Sequence, residues 1–207
     1  MPSYQIFKAL LRNNKTLKID REHMMIVSPD EGAIDRNIFY ASVLGLDMGL
    51  FYKRRDYTRV VNGRNPIVAH EYLGDSVEGK DIFVADDMIS SGESIIDLAK
   101  ELKKRKANRI FAGCTFALFT NGLETYEKAF RDGLIDRVIS TNLTYRNPEL
   151  AKTEWFVEAD LSKYISYIIA TLNHDRSLSA LLNPYDRIHA LIKRYNNEQK
   201  EAGIRLV

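Results

Sequence analysis

DIFVADDMISSGESIIDLAKEL, which runs from Asp81 to Leu102, combines a strand, an acidic pair, a turn of small residues and a helix. The apolar run Ile82–Ala85 suits a strand that is buried on both faces, as in a parallel sheet. The helix that follows has its apolar residues at helical spacing and its lysines on the other side. A strand, a tight turn and a helix in this order form the first part of a βαβ unit. The stretch therefore predicts an α/β fold.

The same alternation of short apolar runs and helical segments extends over most of the chain. Strands are predicted at Met24–Ser28, Met48–Lys53, Asp81–Asp86, Arg109–Ala117, Arg137–Thr141 and Trp155–Val157. Helices are predicted at Ala33–Leu44, Glu93–Lys106 and Leu123–Arg131, preceded by a helix that Ser3 caps. This series predicts a mostly parallel, twisted sheet flanked by helices. The segment Asp56–Gly79 has little periodicity, and we expect it to be a mobile loop.

Length and composition indicate one globular domain. The composition, 45% hydrophobic and 28% charged, is sufficient for a hydrophobic core. The length of 207 residues suits one domain better than two. We expect a single domain over residues 1–207, with a leading helix and linker at 1–22 and a carboxy-terminal helix at 184–207. Trp155, Phe156 and Tyr164 are candidates for either a subunit interface or the core.

Charge and cysteine content limit the partners. Lys and Arg total 30 against 28 Asp and Glu, so the net charge of +2 favours neither nucleic acid nor an anionic membrane as a partner. Any anion site must therefore be local. Cys114 is the only cysteine and lies in an apolar run, so we expect a buried thiol in a reducing compartment. No apolar run is long enough for a membrane span, and a cytoplasmic location is expected.

The turn after the acidic pair has the chemistry of a sugar-phosphate site. Asp86 and Asp87 can accept hydrogen bonds from sugar hydroxyls or hold a hydrated Mg²⁺. Hydroxyls and backbone N–H groups at a helix start favour a phosphate, and they come from Ser90, Ser91, Gly92, Glu93 and Ser94. The carboxylate of Glu93 is expected to point outward. The alternative is that Ser91 or Ser94 only caps the helix.

This stretch resembles the binding motif for phosphoribosyl pyrophosphate (PRPP) that type I phosphoribosyltransferases share with ribose-phosphate diphosphokinases, also called PRPP synthetases. The resemblance implies a type I phosphoribosyltransferase-like fold. It also implies that residues from Asp86 to Ser94 bind ribose 5-phosphate or PRPP.

Two further motifs resemble those of PRPP synthetases. MMIVSPDEGAIDR, from Met24 to Arg36, resembles their SPD-x-GG loop, in which the aspartate at the place of Asp30 is a Mg²⁺ ligand. Ala33 replaces the second glycine, and simple helix capping remains an alternative. Lys53-Arg54-Arg55 resembles the element that opens the catalytic loop, which implies that Lys53 and Arg55 stabilise the group transferred from ATP.

The resemblance extends from about Met24 to Leu182 and favours the carboxy-terminal catalytic half of a two-domain PRPP synthetase. Such an enzyme transfers pyrophosphate from Mg-ATP to ribose 5-phosphate, giving PRPP and AMP. A homo-oligomer is expected, and the activity of an isolated half is not implied.

Two alternatives stay open. The run Ser90–Ser94 places its glycine as transferases do, whereas PRPP synthetases usually have an acid at the position of Ser90. This favours a phosphoribosyltransferase that uses PRPP and a nucleobase. The substitutions at Ser90 and Ala33, together with the absent first half, are also compatible with a non-catalytic regulatory module that resembles PRPP synthetase-associated proteins.

Overall fold

The computed structural model describes residues 2–55, 58 and 67–204, and their side chains except at 53–55, 67–70, 180, 202 and 204. One sheet of seven strands, in the order β3-β2-β1-β4-β5-β6-β7, forms the centre of this part of the chain. The strands are β1 Met24–Ser28, β2 Asp47–Arg55, β3 Ile67–Leu73, β4 Asp81–Ile89, β5 Ile110–Ala117, β6 Arg137–Thr141 and β7 Phe156–Ala159. All neighbouring pairs are parallel except β2 with β3.

Helices cover both faces of the sheet. They are α1 Pro2–Asn13, α2 Ile34–Leu44, α3 Glu93–Lys104, α4 Glu124–Arg131, α5 Ser162–Asn173, α6 Ser179–Leu182 and α7 Tyr185–Ile204. Along β4, Ile82 and Val84 join the core beneath α3 and α4, whereas Phe83 and Ala85 join the core beneath α1, α2 and α7. Successive side chains of a strand point to opposite faces, so the continuous apolar run fills two cores. The predicted fold class is confirmed.

Most predicted elements are found close to their predicted bounds. Two differences concern helix and strand ends. β4 continues to Ile89 because it stays paired with β5 as far as Ile89 and Ala117, so the acidic pair lies within the strand. α1 begins at Pro2, which suits the first position of a helix because proline has no N–H to satisfy. The prediction that Ser3 caps this helix is therefore wrong.

The prediction of a long loop over Asp56–Gly79 is wrong in part. Residues Ile67–Leu73 form β3, which pairs antiparallel with β2 at the edge of the sheet. Its sequence, IVAHEYL, lacks a clear apolar–polar alternation, and its main-chain pairing with β2 is a non-local interaction. Residues 56, 57 and 59–66 of the predicted mobile loop lie outside the described part of the chain.

The aromatic candidates for a subunit interface pack mainly inside the domain. Trp155 is 2% exposed and stacks on Tyr126 with ring centroids 5.3 Å apart, and Tyr164 is also buried. Cys114 is buried as predicted, and burial raises the pKa of its thiol to about 12. None of the helices in the described residues has the length and apolar character that a membrane span requires.

Candidate functional site

The order of the strands places a crevice beside β1. From β1 the chain first adds β2 and β3 on one side and then crosses to add β4 and the remaining strands on the other. β1 and β4 pair only through Met24–Ile26 and Asp81–Phe83, so their carboxyl ends separate beyond these residues. Open α/β sheets bind ligands at such a reversal of strand order. The loops after β1 and β4 therefore border the expected ligand site.

The acidic pair lies on the β4 side of this crevice. Asp86 keeps 25% of its side chain exposed and Asp87 keeps 67%. The guanidinium of Arg36, in the first turn of α2, lies 3.6 Å from Asp86 Oδ1 and 3.7 Å from Asp87 Oδ2. One cation from the loop region after β1 therefore faces both carboxylates. Sequence reasoning missed Arg36, because nothing in its local pattern distinguishes it from a solvated helix residue.

Asp86 has an unusual acidity for a carboxyl group. Burial raises its pKa to about 6, and the negative charges of Asp87 and Asp30 add to this effect. A hydrogen bond from the backbone N–H of Asp87 to Asp86 Oδ1, 2.8 Å long, acts in the opposite direction. The charge of Asp30, in the loop after β1, therefore acts on the acidic pair of β4.

Asn37 ties the two sides of the crevice together. Its side chain is fully buried, and its Nδ2 donates to the carbonyl oxygens of Ala33 and Ala85, each at 2.8 Å. Asn37 Oδ1 accepts a hydrogen bond from the Ala85 N–H at 3.1 Å. Ala85 immediately precedes Asp86, so this amide fixes the acidic pair relative to the loop after β1. A signal existed in the sequence, since Asn37 is a polar residue on the apolar stripe of the predicted helix.

Asp30 performs a capping role in the loop after β1. Its Oδ1 accepts a hydrogen bond from the Ala33 N–H at 3.2 Å, which caps the 3₁₀ turn Glu31–Ala33 that leads into α2. The Ser28 hydroxyl donates to the Asp30 carbonyl oxygen at 2.8 Å and steadies the same loop. The capping alternative is confirmed for Asp30, while its role as a metal ligand stays a prediction.

The turn of small residues after β4 depends on Gly92. This residue is the N-cap of α3 with φ +85°, a left-handed conformation that favours glycine. A Cβ atom here would lie 2.2 Å from Cε2 of Tyr126, a buried ring held between Trp155 and Phe119. The N-cap residue is Gly92, which has no side chain to cap α3, so neither Ser91 nor Ser94 occupies the N-cap position.

The hydroxyls of this turn face the solvent side. Ser90 and Ser94 are exposed, as is Glu93, while Ser91 is half-buried and accepts a long hydrogen bond of 3.5 Å from the Glu93 N–H. The carbonyl oxygen of Ser90 accepts a hydrogen bond from the Thr120 N–H at 3.0 Å, which anchors the turn to the segment after β5. The structure thus places a rigid turn with accessible hydroxyls next to the acidic pair.

The two predicted catalytic cations lie on β2. β1 ends at Ser28, which pairs with Leu50 of β2. Lys53 and Arg55 come later in β2, so their backbone lies beyond the end of β1. The backbone of this part of β2 therefore lies at the carboxyl edge of the sheet, which is also the edge of the crevice. Their side chains lie outside the described part of the structure, so their role stays a prediction.

The chain matches the family described as "Phosphoribosyl transferase domain" over residues 3–133. It belongs to that family. Among curated proteins, the ribose-phosphate pyrophosphokinase of Vibrio cholerae is 33% identical over 163 residues, which are 78% of this chain and 49% of that protein. The ribose-phosphate pyrophosphokinase of Mycoplasma genitalium is 28% identical over 178 residues, 86% of this chain and 50% of that protein.

A solved structure shows the same fold. The crystal structure of phosphoribosylpyrophosphate synthetase from Mycobacterium smegmatis superposes with a TM-score of 0.64 at 17% identity, covering 83% of this chain and 51% of that one. This phosphoribosyl transferase domain is therefore PRPP synthetase-like, and it spans about half the length of the curated relatives that it matches.

The donor set in the crevice of this phosphoribosyl transferase domain fits Mg²⁺. The hard carboxylate oxygens of Asp30, Asp86 and Asp87 are suitable. A divalent cation would offset the mutual repulsion of these carboxylates, which adds to the effect of burial on the pKa of Asp86. Within the described residues, the one tight group of possible ligands is Asp20, Glu22 and His23 near the surface. It includes none of the three crevice aspartates. Mg²⁺ commonly uses one or two carboxylates together with water and substrate phosphates, so a preformed cluster is not required.

The raised pKa of Asp86 leads to a prediction on pH. Because the folded domain holds this proton up to about pH 6 and the unfolded chain releases it near 3.8, ionised Asp86 costs stability at higher pH. The free energy of unfolding of the wild type relative to Asp86→Asn should therefore fall as pH rises from about 4 through about 6. Carboxyl ¹³C NMR should give a pKa near 6, lowered by Asp87→Asn. A titration near 4 in the folded domain would contradict this account.

Proposed function

We propose that this domain is the ribose 5-phosphate-binding catalytic half of a ribose-phosphate diphosphokinase. The reaction transfers pyrophosphate from Mg-ATP to ribose 5-phosphate and yields PRPP and AMP. The observation that carries the proposal is the crevice between β1 and β4, which unites the Asp30 loop, the acidic pair and the turn at 90–94. The names of the curated relatives support the same reaction.

In this proposal the turn at 90–94 binds the 5-phosphate of the sugar. The start of α3 carries backbone N–H groups and the positive end of a helix dipole, which favour a phosphate. The exposed hydroxyls of Ser90 and Ser94 add donors at the same place. Glycine at position 92 lets the turn keep the left-handed conformation that presents these groups.

The acidic pair binds the ribose hydroxyls. Asp86 and Asp87 lie just before the turn on β4, so a sugar held by its phosphate at 90–94 would extend over them. Carboxylates accept hydrogen bonds from hydroxyls, and charge-assisted bonds of this kind are stronger than neutral ones. Arg36 keeps the pair partly neutralised before the sugar arrives.

The remaining groups act on the donor nucleotide. Bound Mg²⁺ would supply charge neutralisation on the phosphates, and Asp30 with Asp86 and Asp87 would hold it. Lys53 and Arg55, in the last part of β2, would stabilise negative charge on the transferring group. We further propose that residues 1–207 form one domain that works beside a second domain, and that the protein assembles as a homo-oligomer.

The direct test is ribose 5-phosphate-dependent release of AMP from Mg-ATP, assayed on this chain and on the full-length gene product. We expect release from the full-length protein, and Lys53→Ala with Arg55→Ala should lower the rate at least 100-fold while leaving the affinity for ribose 5-phosphate within about twofold. A matched control is Lys128→Ala with Arg131→Ala, two exposed cations on α4.

The assay also separates the alternatives. Failure of the folded full-length protein to release AMP, with ribose 5-phosphate binding intact, would refute the proposed reaction and favour a non-catalytic module. Release of pyrophosphate from PRPP in the presence of a nucleobase would instead identify a phosphoribosyltransferase.

A further inference from the structure

A second cavity lies between α1 and α7, away from the crevice. Its volume is about 470 Å³, within the usual range for small-molecule sites. Lys8, Arg12 and Lys15 line it from α1 and the residues just after, and Arg194 lines it from α7. Among the described residues that line the cavity, Glu198 is the one acid. The cavity therefore gathers four cations in a chain whose net charge is only +2.

These cations lack the ion pairs that neutralise many others. Within the described residues, no carboxylate forms a salt bridge with any of the four, whereas Arg109 pairs with Asp81 and Lys106 pairs with Glu78. The pKa of Lys8 is lowered, first by partial burial and then by the positive charges of Arg12, Lys163 and Arg194. Convergence of like charges of this kind is unfavourable unless an anion joins them.

The walls of the cavity are held in place. Tyr195 of α7 is buried, and its hydroxyl lies 2.9 Å from both the Asn14 and the Leu17 carbonyl oxygens, which fixes α7 against the end of α1. Gln199 donates a hydrogen bond to the carbonyl oxygen of Lys15 at the same end. Leu11 closes the floor as a buried side chain. The two helices that carry most of the cations are thus fixed relative to each other, so binding a ligand would not require the helices to move.

We infer that this cavity binds a compact anion that carries a diphosphate group. The cations are spread over two helices, with Lys8 and Arg12 on α1 and Arg194 on α7, so two linked phosphoryl groups could contact more of them than a single phosphate could. The inference does not depend on the proposed reaction, because the cavity shares no lining residue with the crevice. A different pocket, which Arg36 and Asp86 line, is bordered by Pro2 and Ser3 at the other end of α1.

The test is a titration of the ¹⁵N-labelled 207-residue chain with inorganic pyrophosphate in the absence of metal, followed by amide NMR shifts. Saturable shifts are expected at residues 4–15 and 191–199. Orthophosphate should bind at least tenfold more weakly. The double variant Arg12→Gln with Arg194→Gln should weaken pyrophosphate binding at least tenfold.

Controls keep the result interpretable. Lys128→Gln with Arg131→Gln removes the same charge from α4, on the other face of the sheet, and should change the affinity less than twofold. The single variant Lys8→Met removes a half-buried cation and should weaken binding without opening a cavity. Shifts confined to residues 90–94, no saturable shifts, equal binding of orthophosphate, or equal losses in both double variants would overturn the inference.

Discussion

Replacing both Asp86 and Asp87 by alanine is expected to weaken ribose 5-phosphate binding at least 100-fold. Each carboxylate would accept a charge-assisted hydrogen bond, worth about 1.5–3 kcal/mol, from a sugar hydroxyl. Loss of two such bonds exceeds the roughly 2.7 kcal/mol that corresponds to a hundredfold change in affinity. Isothermal titration calorimetry at pH 7.5, where Asp86 is ionised, measures the effect directly.

This variant carries its own check on folding. Ionised Asp86 is unfavourable in the folded domain because burial and its acidic neighbours raise its pKa. The double variant should therefore unfold at the same or a higher temperature than the wild type at pH 7.5. The matched control is Asp97→Ala with Asp132→Ala, two exposed acids on the α3 and α4 side, for which affinity should stay within twofold. If the test variant binds ribose 5-phosphate with an affinity within a few-fold of the wild type, the acidic pair does not bind the sugar.

The second large effect concerns Asn37. Its replacement by leucine should lower the free energy of unfolding by about 3 kcal/mol, because the buried N–H and C=O of Ala85 and the C=O of Ala33 lose this partner. Leucine has a similar volume, so the loss reports the hydrogen bonds more than a cavity. Urea unfolding at constant pH measures it.

A matched control is Asn173→Leu at the exposed end of α5, where a change within about 0.5 kcal/mol is expected. The Asn37 variant should also bind ribose 5-phosphate more weakly, because the acidic pair would lose its link to the loop after β1. A loss of stability below about 1 kcal/mol would show that the Asn37 network does not hold the crevice together.

The fold could be predicted because its decisive signals are local. Buried parallel strands are continuous apolar runs, and β1 and β6 were predicted with their observed bounds. β3 was missed because an edge strand owes its existence to pairing with β2, an interaction between distant residues that leaves no alternation in its own sequence. The end of β4 was misplaced for a related reason, since pairing with β5 carries the strand beyond the acidic pair.

The candidate site was predictable only in its chemistry. Asp30, Asp86 and the turn at 90–94 follow from motifs at strand ends, but the contact of Arg36 with both carboxylates requires the geometry of α2 over β4. The close approach of Tyr126 to Gly92 joins residues from two helices and is equally invisible in one sequence. The cationic cavity shows this limit most clearly, because it brings Arg12 and Arg194 together from opposite ends of the chain.

The crevice between β1 and β4 is tested most directly as the sugar-phosphate site by locating where ribose 5-phosphate binds on this chain. Amide NMR shifts on titration with the sugar phosphate locate it without requiring turnover or a second domain. We expect saturable shifts at residues 85–94 and 28–37, and little change in the amide shifts of residues 191–199. Saturable binding elsewhere, or no binding by the folded chain, would contradict the assignment of the crevice between β1 and β4 as the sugar-phosphate site.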